Sequence, residues 1–523
     1  MIGDKSQGRT TRDVVAAAPE SSGRSRALDI DEPLIFEQGA VGRSGVDLPE
    51  ADRADNRLGG LARVGGIGLP GLSEPEVVRH YTRISRNNYG IDSGLYPLGS
   101  CTMKYNPRLN ERLARLPGFA AVHPLQPTAT VQGALGLIDT LAHWLKQLTG
   151  LPAIAMATAA GAHGELCGIM TIRACLEARG DARQVVLVAD SAHGTNPATA
   201  VACGYRVEEI KSAADGRIDL AALNARLGPD VAAIMLTNPS TCGLFERDIV
   251  AIAEAVHAAG ALFYCDGANF NAIVGRVRPA DLGIDVMHLN LHKTFSTPHG
   301  GGGPGAGPVA MTAELARFAP LPWIVDVAGG GEAGYRLVEQ AVGDAAAALG
   351  RLRAFHGQFG VFVRALAYMM SLGADGLRQV AEDAVLGANY LAARLEGTLS
   401  MAYPGPCMHE ALFDDHTLKD TDVSTLDFAK ALIDEGFHPM TIYFPLVVHG
   451  AMLVEPTETE TRESLDRFVA TVEALVARAK AGDADYFHQA PRHAPRRRLD
   501  ETRAARHPVL RWRAPEQAVQ TAE

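Results

Sequence analysis

The chain has 523 residues, more than one hydrophobic core needs, so two or three domains are expected. Hydrophobic residues make up 47% and charged residues 21%, an ordinary enzyme-like composition, and the formal net charge of −11 excludes a general nucleic-acid binder, which would carry a basic face. No apolar run approaches the length of a transmembrane helix, so no membrane partner is expected either.

Residues 1–28 are rich in Arg, Ser, Ala and Gly. Asp4, Asp13 and Glu20 argue against a transit peptide, and a disordered extension is expected. The seven cysteines, Cys101, Cys167, Cys175, Cys203, Cys242, Cys265 and Cys407, are odd in number and show no Cys-x-x-Cys spacing. They read as reduced thiols of a cytoplasmic protein, with neither a disulfide framework nor a metal site expected.

Residues 29–125 hold many Pro and Gly residues and few periodic runs, which predicts an irregular segment wrapping another part of the molecule or a partner. Within it, Tyr96–Pro107 is dense in turn formers and polar groups. It is a structural loop or, equally, a loop at an active site or subunit interface.

Residues 126–350 read as a large domain. Val131, Leu135, Ile138, Leu141, Leu145 and Leu148 recur at helical spacing up to a C-cap at Gly150. The Gly-rich stretch Ala159–Glu165 then runs into an apolar-periodic segment, the arrangement of an anion site at a helix start. It lacks the Gly-Lys-Ser/Thr ending of a nucleotide-triphosphate loop. Short apolar runs, Val185–Ala189, Val231–Leu236, Ala261–Cys265 and Val286–Leu291, alternate with helical stretches, which predicts a mainly parallel, buried sheet. Polar residues follow each run: Ser191–Asn196, Thr237–Thr241, Asp266 and Lys293. Ligands of such sheets bind beyond the carboxyl ends of the strands.

The chain from Gly330 to Arg394 reads as mostly helical. Residues 351–485 form a smaller α+β domain, with short strands and a helix (Leu426–Glu435) between Met401 and Glu455, and a last helix after Pro456. Residues 486–523 read as an extended polar tail whose basic cluster, Arg492–Arg498, is a solvated surface.

One constellation carries chemistry. Lys293 is followed by four glycines, Gly300–Gly303, which let something bulky approach the backbone. A lone lysine beside a Gly-rich loop is usually a solvated side chain. The other strand ends overturn that reading, because pyridoxal phosphate needs four things that they supply. Lys293 gives the amine for a Schiff base. Asp266 gives a carboxylate for the pyridine nitrogen, although an Asp-Gly turn alone would explain it equally well. The loop at 159–165 gives a phosphate cradle, and His163 within it a ring to stack on the cofactor. Asn238 could hydrogen-bond the phenolic oxygen. His193 and His292 are candidate acid–base or substrate-binding groups, unranked by spacing. Gly161, Ala162, Ala268 and Thr294 complete the candidate cofactor-binding set.

Tyr96–Pro107, Ala159–Glu165, Ala192–Pro197, Leu236–Pro239, Asp266–Asn269, His288–Pro308, Tyr443–Pro445, Glu455–Glu460 and Pro508–Trp512 together resemble the glycine dehydrogenase (decarboxylating) family, the P-proteins of the glycine cleavage system. The likeness is to the second subunit of the two-subunit form and spans roughly residues 30–515. It implies an α/β fold of type I, similar to aspartate aminotransferase, with Lys293 as the Schiff-base lysine, Asp266 as the pyridinium partner and His163 as the stacking residue. It further implies that glycine loses CO2 on pyridoxal phosphate, that the aminomethyl group passes to the lipoyl arm of the H-protein, and that the chain pairs with subunit 1 in a heterotetramer of two of each. Gly300–Gly303 and Tyr96–Pro107 are then candidate walls for the lipoyl arm. Val448-His-Gly450 and the end of His409–Asp415 depart from the family's pattern, and both stretches are expected away from the cofactor. The competing readings are another fold-type I enzyme, such as a cysteine desulfurase or amino-acid decarboxylase, and a catalytically silent scaffold subunit.

Overall fold

Hydrophobic alternation sets the architecture. In β2 (Val185–Ala189), Val185 and Leu187 point into one apolar cluster and Val186 and Val188 into another. Successive strand side chains face opposite ways, so a run apolar at every position must be covered on both sides. This is a computed structural model, and it describes residues 32–40, 42–46, 48–49, 57–65, 67–300, 305–327 and 334–512. The expected disordered extension, 1–28, lies outside them.

The chain divides into two units, Met1–Gly90 with Pro491–Glu523, and Ile91–Ala490. In the first, the helix Glu74–Arg86 opens on a capping box: the Ser73 amide and hydroxyl both donate to Glu76. His80 and Arg83 on this helix both bind the carboxylate of Glu32, and Phe36 stacks on Trp512 with ring centroids 5.2 Å apart.

The second unit holds a seven-stranded sheet. Its strands are β1 (Ala153–Ala155), β2, β3 (Arg206–Ile210), β4 (Val231–Thr237), β5 (Leu262–Gly267), β6 (Val286–Leu289) and β7 (Val309–Met311). They lie in the order β1-β7-β6-β5-β4-β2-β3, with β2 to β6 parallel and β7 antiparallel to both neighbours. The helix Gln132–Thr149 covers one face with Leu141 and Leu145, and ends on Gly150 at φ 74°, a left-handed cap that suits glycine. The helix Gly161–Ala178 covers the other face with Ile169 and Ile172. Burying one such side chain contributes about 1.5–3 kcal/mol.

Two expectations need correction. The strand β9 (Tyr335–Val338), antiparallel to β8 (Trp323–Asp326), stands where mostly helix was expected. Residues Ala484–His488 are helical rather than extended, and Phe487 is fully buried among apolar residues. The helix Phe359–Arg394 serves both cores: Phe362 and Ala365 pack on the large sheet, Ala388 and Leu391 on the smaller one, and Gly373 breaks the helical dihedrals between them. The smaller sheet is antiparallel: β10 (Ser400–Met401), β11 (Ala411–Asp414), β12 (Thr441–Ile442) and β13 (Met452–Val454), in the order β10-β11-β13-β12. The helices Thr425–Asp434 and Arg462–Lys480 pack into its core. Among the described residues no helix is long and apolar enough to cross a membrane.

Candidate active site

Four parallel strands deliver polar residues to one edge of the large sheet. Asn196 follows β2, Asn238 follows β4, Asp266 ends β5, and Lys293 lies just past β6. The strand expected to run to Leu291 stops at Leu289, and Lys293 rides on a single helical turn, Leu291–Thr294. Asn290 diverts the chain, since its carbonyl accepts the amides of Lys293 at 3.0 Å and Thr294 at 3.2 Å. Lys293 Nζ donates to the carbonyl of Ser100 at 2.9 Å.

Asp266 is 3% exposed and hydrogen-bonded at both carboxylate oxygens. Its Oδ1 accepts the Ala268 amide at 2.9 Å and its Oδ2 accepts Nδ2 of Asn196 at 3.0 Å. The strand register sets it beside His288, whose Nε2 lies 3.5 Å from Oδ1. Tyr264 hydroxyl meets Nδ1 of that ring at 2.5 Å. Burial lowers the His288 pKa while the charge on Asp266 works the other way, and the ring turns Nε2 toward that carboxylate. Burial alone would raise the Asp266 carboxyl, but His288, the Ala268 amide, Asn196 and Lys293 together hold it below its usual value, so it is charged. Glu165 behaves oppositely. Burial, then the charge on Asp266, pushes it up to about 8, and it accepts the Thr195 hydroxyl at 2.8 Å.

The Gly-rich stretch becomes helical from Gly161, earlier than expected. Ala160, in extended conformation, caps that helix with no side-chain hydrogen bond. The first amides, those of Gly161, Ala162 and His163, have no carbonyl one turn back, which leaves a cradle for an anion. Gly307 makes the cradle possible, for a Cβ there would sit 2.1 Å from the Ala160 carbonyl oxygen. His163 Nδ1 accepts the Ala159 amide at 3.0 Å, and burial lowers its pKa.

Asn238 binds the Glu246 amide through Oδ1 at 3.0 Å, while its buried Nδ2 has no partner among the described residues. The buried Thr294 hydroxyl has none either. Such buried polar atoms fit a polar guest, because leaving them unmatched is costly. A charged carboxylate, an uncapped helix start, an amine and an unmatched amide are what pyridoxal phosphate requires, so the residues fit it. His193 Nδ1 lies 2.9 Å from the Thr195 hydroxyl and accepts the Thr195 amide at 3.2 Å, and desolvation lowers its pKa. His292 Nδ1 accepts the Ala306 amide at 3.4 Å, its ring meets His299 edge-on, and burial pushes it down to about 3. Gly301–Gly303 lie outside the described residues.

The sequence alone did not single out Glu165, His288, Ser100 or Lys104. Lys104 Nζ is buried and donates to Asn271 Oδ1 at 2.9 Å, the Thr294 carbonyl at 2.8 Å and Glu458 Oε1 at 2.6 Å. His409 and Glu410, the two residues that open the stretch His409–Asp415, lie close to Lys293, since Glu410 accepts the amide of Ser100, whose carbonyl takes Lys293 Nζ, at 2.7 Å. The two stretches that depart from the family pattern also touch each other. His449 Nδ1 lies 3.1 Å from Asp415 Oδ1, and a Cβ on Gly450 would sit 2.1 Å from Asp415 Cγ.

Comparison with known proteins follows the same lines. The family model "Glycine dehydrogenase, C-terminal domain" matches residues 380–496, and "Aminotransferase class-V" matches residues 163–303. A probable glycine dehydrogenase (decarboxylating) subunit 2 of Caulobacter vibrioides is 66% identical over 493 residues, covering 94% of this chain and 93% of its own length. Its counterpart in Kosmotoga olearia is 51% identical over 490 residues, covering 92% and 100%. Among solved structures, an inhibitor-bound glycine decarboxylase (P-protein) of the glycine cleavage system superposes with a TM-score of 0.65 at 23% identity, covering 83% of this chain and 92% of that one. A cysteine desulfurase from Thermococcus onnurineus NA1 gives 0.57 at 14% identity, covering 74% and 95%. At these identities both are likenesses of fold.

Proposed function

This chain belongs to the glycine dehydrogenase (decarboxylating) subunit 2 family, and on that premise we propose how its residues carry the reaction. It is a pyridoxal-phosphate enzyme of fold type I that decarboxylates glycine and transfers the aminomethyl group to the lipoyl cofactor of the H-protein, as part of the glycine cleavage system.

The observation that carries the assignment of roles is the pairing of an amine with a charged carboxylate at neighbouring strand ends, Lys293 after β6 and Asp266 on β5. When bound, the cofactor supplies an electron sink for the carbon–carboxylate bond that breaks. Lys293 would anchor it through the amine, and Asp266, held below its usual pKa by its neighbours, would keep the ring nitrogen protonated. Gly161 and Ala162 would offer amides to the phosphate, His163 would stack on the ring, Asn238 Nδ2 would donate to the phenolic oxygen, and Ala268 and Thr294 would complete the shell. His193 and His292 are both held neutral, so each can accept a proton or place the substrate but does not arrive charged.

The partners we propose are subunit 1, in a heterotetramer of two of each chain, and the lipoylated H-protein, with the assembly in the cytoplasm. Glycine–bicarbonate exchange tests this reading. It should require this chain, subunit 1 and lipoylated H-protein together, and fall by at least about 10³-fold in Lys293→Ala, the loss expected when a covalent anchor is removed. Full exchange by this chain alone would overturn the two-subunit assignment. Undiminished exchange by Lys293→Ala would overturn the role of the lysine.

A further inference from the structure

Behind Lys293 lies a buried acid cluster that the reaction as described does not use. His409, Glu410 and Glu455 are each 0% exposed. The outer oxygen of each carboxyl grips the backbone of the Ser100–Thr102 turn: Glu410 Oε2 accepts the Ser100 amide at 2.7 Å, and Glu455 Oε2 accepts the Thr102 amide at 2.8 Å. Ser100 and Thr102 both take left-handed φ values, 66° and 50°, which residues with a Cβ adopt only when their surroundings impose them. The twisted turn ends with the Ser100 carbonyl aimed at Lys293 Nζ, 2.9 Å away. The inner oxygens, Oε1 of each carboxyl, lie 3.9 and 3.8 Å from His409 Nε2.

We propose that Glu410 and Glu455 are positioning residues for Lys293: by holding the Ser100 and Thr102 amides, they keep the Ser100 carbonyl in place as the acceptor for the lysine amine whenever that amine is not covalently engaged. The inference rests on the assignment of Lys293 as the cofactor lysine. It gives the amine a fixed berth beside the ring, in place of a free four-carbon arm whose ordering would cost entropy each time it returned. The charged or titratable groups facing the cluster are Lys293, Glu458, Cys101, Cys242 and Cys407. Burial, then Glu455, raises the Glu410 carboxyl, and burial also raises Glu455, while burial keeps His409 neutral. A neutral Glu410 holds the Ser100 amide through its carbonyl oxygen, as a glutamine would.

The test is competitive acylation of Lys293 by acetic anhydride at neutral pH in the full-length protein freed of cofactor, read by mass spectrometry. The cofactor absorbance near about 420 nm is read on the same reloaded samples. Glu410→Ala should acylate about tenfold faster, because the ammonium loses its acceptor, whereas Glu410→Gln should stay within about twofold of the parent. Ser100→Pro removes the donated amide and the left-handed φ without cutting a buried side chain. It should match Glu410→Ala and keeps the test open if that variant fails to fold. If both variants acylate at the parent rate while only the denaturation midpoint falls, the clamp is merely structural and the proposal is overturned. A missing absorbance band in the parent would instead refute the cofactor assignment.

Discussion

Asn196 donates from Nδ2 to Oδ2 of Asp266 at 3.0 Å, with both side chains almost fully buried. A hydrogen bond to a buried charge contributes about 1.5–3 kcal/mol. Asn196→Leu should therefore weaken cofactor binding by roughly 10–100-fold and leave the fold intact, and Asp266→Asn should weaken it further. Titration of the cofactor-free protein with pyridoxal phosphate, followed by tryptophan fluorescence, measures this. An unchanged Kd in Asn196→Leu would mean that the amide does not tune the carboxylate.

The buried Lys104–Glu458 pair should behave as an all-or-none unit. Removing one partner leaves the other desolvated, which costs about 3–5 kcal/mol, whereas replacing both can be close to neutral. Lys104→Ala should lower the urea midpoint markedly, and Lys104→Met combined with Glu458→Gln should regain most of the loss. Additive losses in the double variant would show that the two side chains act independently.

Glu165 makes stability depend on pH. Its folded value of about 8 stands above the ordinary 4.5 of a glutamate, so between those two pH values the folded chain keeps a proton that the unfolded chain has released. Stability then falls as pH rises through that window. Glu165→Gln mimics the protonated form and should flatten the decline between about pH 5 and 8 in denaturant midpoints. An unaltered slope would place the shift on another group.

Gly307 bears on the anion cradle directly. Gly307→Ala would force a methyl group against the Ala160 carbonyl, an overpacking cost of about 1–3 kcal/mol, and should displace the start of the Gly161 helix. Cofactor affinity should drop about tenfold or more, with a smaller effect on the fold. Unchanged affinity for both pyridoxal phosphate and inorganic phosphate would remove the helix start as the phosphate site.

The strand ends were legible because parallel strands buried on both faces appear as unbroken apolar runs, and the residues after Val185–Ala189 and Val231–Leu236 therefore stood out. β3, with Arg206 and Glu209 exposed at the sheet edge, has no such run, and β1 and β7 are only three residues long. The turn at Lys293 escaped because Asn290 interrupts the strand through the backbone. His288 reads as one more strand residue until the register sets it beside Asp266. The acid clamp was beyond any spacing argument: its hydrogen bonds join positions 310 and 353 residues apart.

That separation has a consequence for how the protein is made. The turn at Ser100 is synthesised early, but the carboxyl groups that impose its left-handed backbone come from Glu410 and Glu455. At about 5–20 residues per second, the ribosome needs roughly 15–70 s to supply them. During that interval the nascent chain can assemble the strands that bear Asp266 and Lys293 but not the berth for the lysine. Competence to hold the amine in place therefore arrives with the last hundred or so residues.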